Sequence, residues 1–184
     1  TEGEEFTVFR PKRLFWRQSY AGLLYTRRAA RESDIPDRQS IGGDFQLATA
    51  RFHGNKNFLF GGWFMKTPNA AKGSDNSASG FRLNYPNDRW ALQMAYKFFQ
   101  KSFDPKLGFV EQVDYQKYTP GVSFNPRPKN SKLVRQYFFD SRIELFTDMA
   151  GRWIERTYFL TPLRIDFQSG DQFSFRAEPS YIYL

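Results

Sequence analysis

Few side chains in this sequence have the types and the spacing that catalysis requires. His53 is the one histidine, so histidines cannot build a metal cluster, and a Ser-His-Asp site would have to use His53 as its base without a recognisable nucleophile motif. Asp140 and Glu144 share a strand face and lie about 13 Å apart, whereas a glycosidase pair needs about 5–9.5 Å. The sequence therefore predicts no enzyme and nominates no catalytic, metal-binding or cofactor-binding residue.

Composition narrows the possible partners. The chain has no cysteine, which excludes thiol catalysis, disulfides and cysteine metal sites. The formal net charge of +8 suggests nucleic acid or an anionic surface as a partner. Lysine and arginine are scattered along the chain instead of forming a basic stripe, so we expect no nucleic-acid partner.

The remaining candidates are charged residues that alternate with apolar ones. Arg142, for example, lies between apolar positions of a segment in which every second residue points to the opposite face when the chain is extended. We predict that the charged side chains of three late strands share one polar face and line a water-filled interior. This set is Asp140, Arg142, Glu144, Arg164, Asp166, Arg176 and Glu178.

The clearest strand runs from Trp90 to Phe98. Every second residue is large and apolar, and aromatic residues stand at both ends. A transmembrane β-strand needs about 9–11 residues, with aromatic girdles near the lipid headgroups. The turn at 86–88 joins this strand to an alternating segment at 80–85, so we predict a hairpin.

The same period of two recurs along the chain. Further strands are predicted at 16–27, 41–52 and 57–66, with bends or bulges at the glycine pairs 42–43 and 61–62, and a strand break at 161–162. Short turns alternate with longer polar loops, as in up-and-down barrels. We predict one all-β domain over residues 1–184, an antiparallel up-and-down meander of roughly ten strands that forms all or part of a transmembrane β-barrel.

One loop has a defined shape in the sequence. Pro105 and Gly108 impose a turn on a segment whose notable residues are Phe103, Asp104, Pro105, Gly108 and Phe109. This loop is either a binding element or a fixed turn that sets the geometry of the barrel.

A soluble sandwich or barrel also alternates apolar and polar residues. Charges in mid-strand do not separate the two classes, because they face water in both. Aromatic residues at strand ends, such as Trp90 and Trp153, favour the membrane barrel. Phe138 and Phe146 on the polar face remain a difficulty for it. The alternative is a soluble all-β module that binds a glycan or a lipid.

Three segments carry a resemblance to a known family. They are residues 9–28, residues 103–110 with the following Asp114-Tyr115 pair, and residues 124–128. In order and spacing they resemble the C-terminal barrel region of a bacterial family of unknown function. In that family the barrel follows an N-terminal domain similar to family-nine carbohydrate-binding modules.

The resemblance implies a Gram-negative outer-membrane barrel that acts as a pore, a transport channel or a membrane anchor for a surface carbohydrate-binding module. It implies three partners, namely the lipid bilayer, the remaining barrel strands and the carbohydrate-binding-like domain of a longer protein. No residue of this chain matches the sugar module. On this reading the chain is an open piece of a barrel with two unpaired strand edges. The association with a sugar module also leaves open a hydrolase that acts on glycans, for which the sequence nominates no carboxylate.

Overall fold

The computed structural model describes residues 3–30, 37–68, 73–105, 108 and 110–183. Within these ranges the chain is all-β, and no helix has the length and apolar character needed to cross a membrane. Twelve strands form one sheet. They are β1 (Glu4–Phe9), β2 (Lys12–Phe15), β3 (Ser19–Ala30), β4 (Arg38–Phe52), β5 (Lys56–Lys66), β6 (Ser77–Pro86), β7 (Trp90–Phe99), β8 (Tyr115–Phe124), β9 (Val134–Thr147), β10 (Trp153–Phe167), β11 (Gln172–Ala177) and β12 (Ser180–Ile182).

The sheet is an up-and-down meander. Its order is β1-β3-β4-β5-β6-β7-β8-β9-β10-β11, and each neighbouring pair is antiparallel. In the described part of the chain, contacts between strands join only paired neighbours, so the first and last strands do not meet. The predicted antiparallel meander is confirmed, and the sheet stays open in this structure.

Both edges of the sheet consist of two short strands separated by a proline. β1 and β2 pair with β3, and the Leu23 N–H donates to the Pro11 carbonyl between them at 3.0 Å. β11 and β12 pair with β10, where the Tyr158 N–H donates to the Pro179 carbonyl at 3.0 Å. Proline has no N–H to donate, so it is tolerated in edge strands. With each split edge counted once, the path has the ten strands that alternation predicts.

The connections differ between the two ends of the sheet. One end, here the short-turn end, carries the tight turns 16–18, 53–55 and 87–89, together with 168–171 and the longer 125–133. The other, the long-loop end, carries 31–37, 67–76, 100–114 and the short 148–152. The predicted alternation of short and long connections is therefore present, with one exception at each end.

Two predicted strand boundaries are wrong. Trp16 belongs to a turn and not to a strand, because Trp16 and Arg17 both have left-handed backbone angles (φ 46° and 59°) that close the β2–β3 hairpin. The expected break at Thr161-Pro162 is a bulge inside the continuous strand β10, where the pairing with β9 shifts between Thr161 and Arg164. A strand tolerates an internal proline when the register shifts at that point, because the partner strand then needs no hydrogen bond from the missing N–H.

Of the bends or bulges predicted at the glycine pairs, the bulges are wrong. Gly42-Gly43 and Gly61-Gly62 pair in regular register between β4 and β5, and the register shift lies between Thr49 and Phe52. Gly42 is required by close approach, since a Cβ there would overlap the Phe64 carbonyl oxygen. These glycines therefore permit tight strand contact and do not mark bulges.

Candidate functional site

The register assigns each strand residue to one of two faces. Directly opposite residues of an antiparallel pair project to the same face. Leu92 lies opposite Tyr85 and Val122, and the face of Leu92 is called the convex face below. Gln93 lies opposite Asn84 and Gly121, and its face is called the concave face.

A cavity shows how the sheet curves. It has a volume of about 740 Å³, and its lining includes the concave-face residues Gln93, Asp140 and Arg142 and reaches from Leu59 in β5 to Arg176 in β11. One cavity touches strands β5 through β11 only if the sheet bends around that face. The concave face is therefore the inner surface of a trough.

The predicted interior residues of the strands lie on this concave face, and four of the predicted set line the same cavity. These four are Asp140, Arg142, Arg176 and Glu178. Glu178 lies in the break between β11 and β12 instead of in a strand. Two positive and two negative side chains make this cavity balanced in charge.

The other three predicted interior residues form ion pairs. Glu144 Oε2 lies 2.6 Å from Lys117 Nζ on the adjacent strand, and Glu144 Oε1 lies 4.0 Å from Arg142 Nε. Arg164 Nε lies 3.5 Å from Asp166 Oδ1. The concave face therefore carries cross-strand and along-strand charge pairs, a pattern that suits a wet surface.

Cations cover the phenylalanines that the pattern places on the polar face. Arg164 stacks 3.6 Å from the ring centre of Phe138, and Lys117 Nζ lies 4.6 Å from that of Phe146. Such cation–π contacts cover the ring while the charge remains near water. Phe138 and Phe146 thus lie on the concave face beneath cations.

The second cavity is basic. It has a volume of about 560 Å³, and its charged lining residues are Arg10, Arg82, Lys97, Lys117 and Asp44. Arg10 Nη2 pairs with both oxygens of Asp44 at 3.0 and 3.2 Å. Lys117 pairs with Glu144 outside this lining, so Arg82 and Lys97 leave this half of the trough positive. Sequence alternation placed Lys97 in the strand from Trp90 to Phe98, but it predicted no strand around Lys117 and so missed β8. It singled out neither lysine, because their proximity depends on the pairing of β7 with β8.

The loop predicted from Pro105 and Gly108 is ordered around Phe103. The ring of Phe103 lies 5.7 Å from that of Phe99, which stacks on Tyr115 at 5.5 Å. The Gly108 N–H donates to the Pro105 carbonyl at 2.7 Å, and the Asp104 N–H donates to Thr67 Oγ1 at 3.3 Å.

These contacts favour the structural reading of that loop. Phe103 is 5% exposed, and it packs on concave-face aromatics at the long-loop end of the trough. Phe109, the last residue of the predicted loop, lies outside the described residues.

The convex face is apolar and exposed. Among the described residues only four hydrophobic side chains are buried: Ala78, Tyr115 and Val134 belong to the concave face, and Phe103 lies in the β7–β8 connection. The exposed convex-face residues include Leu23, Ile41, Phe45, Leu47, Phe64, Phe81, Trp90, Leu92, Met94, Val122, Phe139, Phe173 and Phe175. The sheet thus buries little of its apolar face, which is the reverse of a soluble β domain.

Aromatic rings gather near the short-turn end of the convex face. Trp90 and Phe124 have ring centres 4.3 Å apart, and Phe124 stacks on Phe139 at 6.1 Å. Phe52 stacks on Phe58 at 4.9 Å and lies 6.3 Å from Tyr85. We call these six side chains the aromatic belt: Phe52, Phe58, Tyr85, Trp90, Phe124 and Phe139.

No catalytic arrangement emerges from the described residues. His53 lies in the β4–β5 turn with a left-handed φ of 44°, and its ring contacts Phe52 at 4.6 Å. Within the described ranges no group of three or more His, Cys, Asp or Glu residues is placed to hold a metal ion.

Asp148 stabilises the β9–β10 turn. Its carboxylate accepts hydrogen bonds from the N–H groups of Arg152 and Ala150, both at 2.9 Å, and from Arg152 Nε at 2.6 Å. The backbone N–H of Arg152 is the main cause that lowers the pKa of Asp148 below its usual value, and the Arg152 side chain adds to it.

No family model, no curated protein and no solved structure matches this chain. The resemblance to the bacterial barrel region therefore stays a prediction from three sequence segments.

Proposed function

We propose that this chain forms part of the wall of a β-barrel in the outer membrane of a Gram-negative bacterium. The convex face contacts lipid and the concave face contacts water. The protein acts without catalysis, as a pore, a transport channel or a membrane anchor. The observation that carries the proposal is the continuous row of exposed apolar side chains on the convex face, opposite a concave face of paired charges.

Solvation energetics support lipid as the occupant of the convex face. Burial of apolar surface is worth about 25 cal/mol per Å². Monomeric soluble proteins seldom expose contiguous apolar patches above a few hundred Å². Leu92 and Met94 are 45% and 42% exposed in mid-strand, where a soluble barrel packs its core. Contact with lipid would remove the apolar convex face from water, although no protein core covers that face.

The aromatic belt supports the same orientation. Trp and Tyr side chains prefer the interface between hydrocarbon and headgroups, because they combine an apolar ring with a polar atom. Trp90 and Tyr85 stand at the short-turn end of the convex face, where such an interface is expected. Tyr158 and Tyr181, with ring centres 6.3 Å apart, lie on the convex face toward the long-loop end.

The proposal requires both sheet edges to be paired, because unpaired backbone groups are not tolerated in the hydrocarbon. The family resemblance supplies further barrel strands as the candidate partners. It also supplies the carbohydrate-binding-like domain that an anchor would hold at the cell surface.

Membrane partition tests the proposal. The full-length protein is produced in a Gram-negative host, and inner and outer membranes are separated by density. We expect the protein in the outer-membrane fraction, resistant to alkaline wash and extracted only by detergent. Recovery in the soluble fraction without detergent would contradict the proposal and favour the soluble glycan- or lipid-binding module.

A pair of neighbouring substitutions provides the matched control. L92K places a charge on the convex face, where a cation near the bilayer midplane costs about 2–4 kcal/mol. Q93K places the same charge on the concave face and is expected to leave membrane assembly unchanged. Equal effects of the two would contradict the assignment of faces. Channel conductance after reconstitution then separates a pore from an anchor or a plugged barrel.

A further inference from the structure

The concave face has a compact group of three cations, of which only Lys117 is paired with a carboxylate. We call Arg82, Lys97 and Lys117 the basic cluster. Lys97 lies directly opposite Lys117 in the β7–β8 pair. Arg82 lies opposite Ala95. Ala95 precedes Lys97 by two residues in β7, so both lie on the same face. Diagonal neighbours of this kind are within about 7–8 Å at their Cβ atoms.

The carboxylates near the cluster are already engaged. Lys117 contacts Glu144 at 2.6 Å, and Glu144 also lies 4.0 Å from Arg142. Arg82 donates from Nη2 to the neutral Gln46 Oε1 at 3.0 Å. Lys97 lies near the rings of Phe99 and Tyr115, at 5.7 and 5.9 Å. Among the described residues, neither Arg82 nor Lys97 has a carboxylate within salt-bridge distance.

Two small residues and the ring of Trp63 form the floor between these cations. Gly61 lies opposite Arg82, Ala95 lies between the two cations on the concave face, and the ring of Trp63 covers Gly80, which lies opposite Lys97. The cavity above them has a volume of about 560 Å³. A water molecule takes up about 30 Å³ in the liquid, so this space holds an oxyanion with part of its hydration shell.

We infer that the basic cluster binds small oxyanions, namely phosphate- or carboxylate-bearing solutes that reach the concave face from water. Arg82 supplies planar paired donors, and the two lysines supply point charges, which together suit an oxyanion. An anion between Lys97 and Lys117 removes their mutual repulsion. The inference rests on the proposed function only in requiring that the concave face is open to water.

The other half of the trough shows that this positive field is local. The cavity of about 740 Å³ is lined by Asp140 and Glu178 as well as Arg142 and Arg176. Two carboxylates there offset two cations. An anion is therefore expected to bind at the basic cluster in preference to the rest of the concave face, because the basic cluster has a net positive charge and the larger cavity does not.

Trp63 reports on the site. Its ring lies over Gly80, directly beside Lys97, and the other three tryptophans of the chain are Trp16, Trp90 and Trp153. In a W16F/W90F/W153F background, fluorescence quenching of Trp63 by iodide is compared with quenching by neutral acrylamide. We expect iodide to be favoured, and inorganic phosphate to suppress iodide quenching alone.

Two double variants decide the result. R82Q/K97Q is expected to lower the iodide-to-acrylamide ratio about twofold or more, because the local anion concentration follows the local potential. K66Q/R176Q removes the same net charge outside the basic cavity and is expected to leave the ratio unchanged. An unchanged ratio in R82Q/K97Q, or an equal fall in both variants, would overturn the inference.

If the triple tryptophan variant does not fold, calorimetric titration of the otherwise native full chain with phosphate replaces the quenching measurement. We expect binding that R82Q/K97Q loses and K66Q/R176Q keeps, and no binding to the native chain would overturn the inference. Neither measurement requires a membrane. A soluble protein that binds phosphate would therefore refute the barrel while leaving the anion site standing.

Discussion

Lys97 lies directly opposite Lys117 on the concave face, near the long-loop end of the β7–β8 pair. Like charges at opposite positions of an antiparallel pair destabilise the sheet. Glu144 compensates Lys117 at 2.6 Å, whereas the contacts of Lys97 are with aromatic rings. The native sequence thus keeps an unfavourable pair at the place where we propose that an anion binds.

Removal of this repulsion is expected to stabilise the sheet. K97Q should raise the free energy of unfolding by about 0.2–1 kcal/mol at low ionic strength, without phosphate. The gain should vanish near 1 M salt, where the screening length is about 3 Å. Thermal unfolding in detergent, followed by circular dichroism, measures both. K66Q is the control, since Lys66 lies opposite Ile41 and Ser77 and has no cation across from it. A loss of stability in K97Q at low salt would argue against the repulsion.

Two glycines of the concave face should differ in their tolerance of alanine. A Cβ at Gly42 would overlap the Phe64 carbonyl oxygen and approach Met65 Cα at 3.1 Å. The three atoms nearest to a Cβ at Gly121 all belong to the flexible side chain of Gln93 and not to the backbone. We expect G42A to destabilise by about 3 kcal/mol and G121A by about 1 kcal/mol or less. Equal thermal unfolding of the two variants would contradict the close packing of β4 on β5.

Most of the fold could be predicted from the alternation of apolar and polar residues along the chain. The period of two around Trp90 locates β7, and the meander follows from similar segments joined by turns. The break at Pro162 was not predictable as a bulge, because a strand tolerates a proline only if its partner shifts register there. Trp16 has a strand-forming side chain, yet a left-handed φ of 46° places it in a turn. Side-chain propensity does not report that backbone angle.

Turn stability is expected to depend on pH through Asp148. Its pKa is lowered in the folded state, so its contribution to stability is fully present above its unfolded pKa, which is about 3.9 for aspartate. The contribution is lost as the pH falls through the lower, folded pKa. D148N should therefore lower the thermal midpoint at pH 7, and the difference from the native chain should disappear in strong acid.

The control for that experiment is E111Q, which changes an exposed carboxylate in another connection. It is expected to leave the pH profile of the thermal midpoint unchanged. If the thermal midpoints of D148N and of the native chain differ by the same amount at all pH values, Asp148 is not the cause of the pH dependence.

Trp90 is expected to lie near the lipid headgroups. In a W16F/W63F/W153F background, bromine atoms near the headgroup end of the lipid chains should quench Trp90 more than bromines near the chain ends, because the aromatic belt marks the interface. The matched control keeps Trp63 alone, which faces the trough and should not be quenched by either lipid. Stronger quenching of Trp63 than of Trp90 would reverse the two faces.

The candidate site was less accessible to sequence reasoning than the fold. Arg142 and Glu144 could be assigned to a shared face by counting residues along one strand. The basic cluster could not, since Lys97 and Lys117 come together only through the register of β7 and β8. The covering of Phe138 by Arg164 likewise depends on the shift beside Pro162. Contacts within a strand follow from spacing, whereas contacts between strands require the register.

The most direct test of the account compares two adjacent residues of β7. The chain has no cysteine, so L92C and Q93C can each carry a single nitroxide label in the reconstituted full-length protein. The account predicts that the label at Leu92 collides with oxygen, which concentrates in lipid, and is protected from a water-soluble nickel chelate. The label at Gln93 should show the reverse. Access of the nickel chelate to Leu92 equal to or greater than its access to Gln93 would contradict the lipid-facing convex surface.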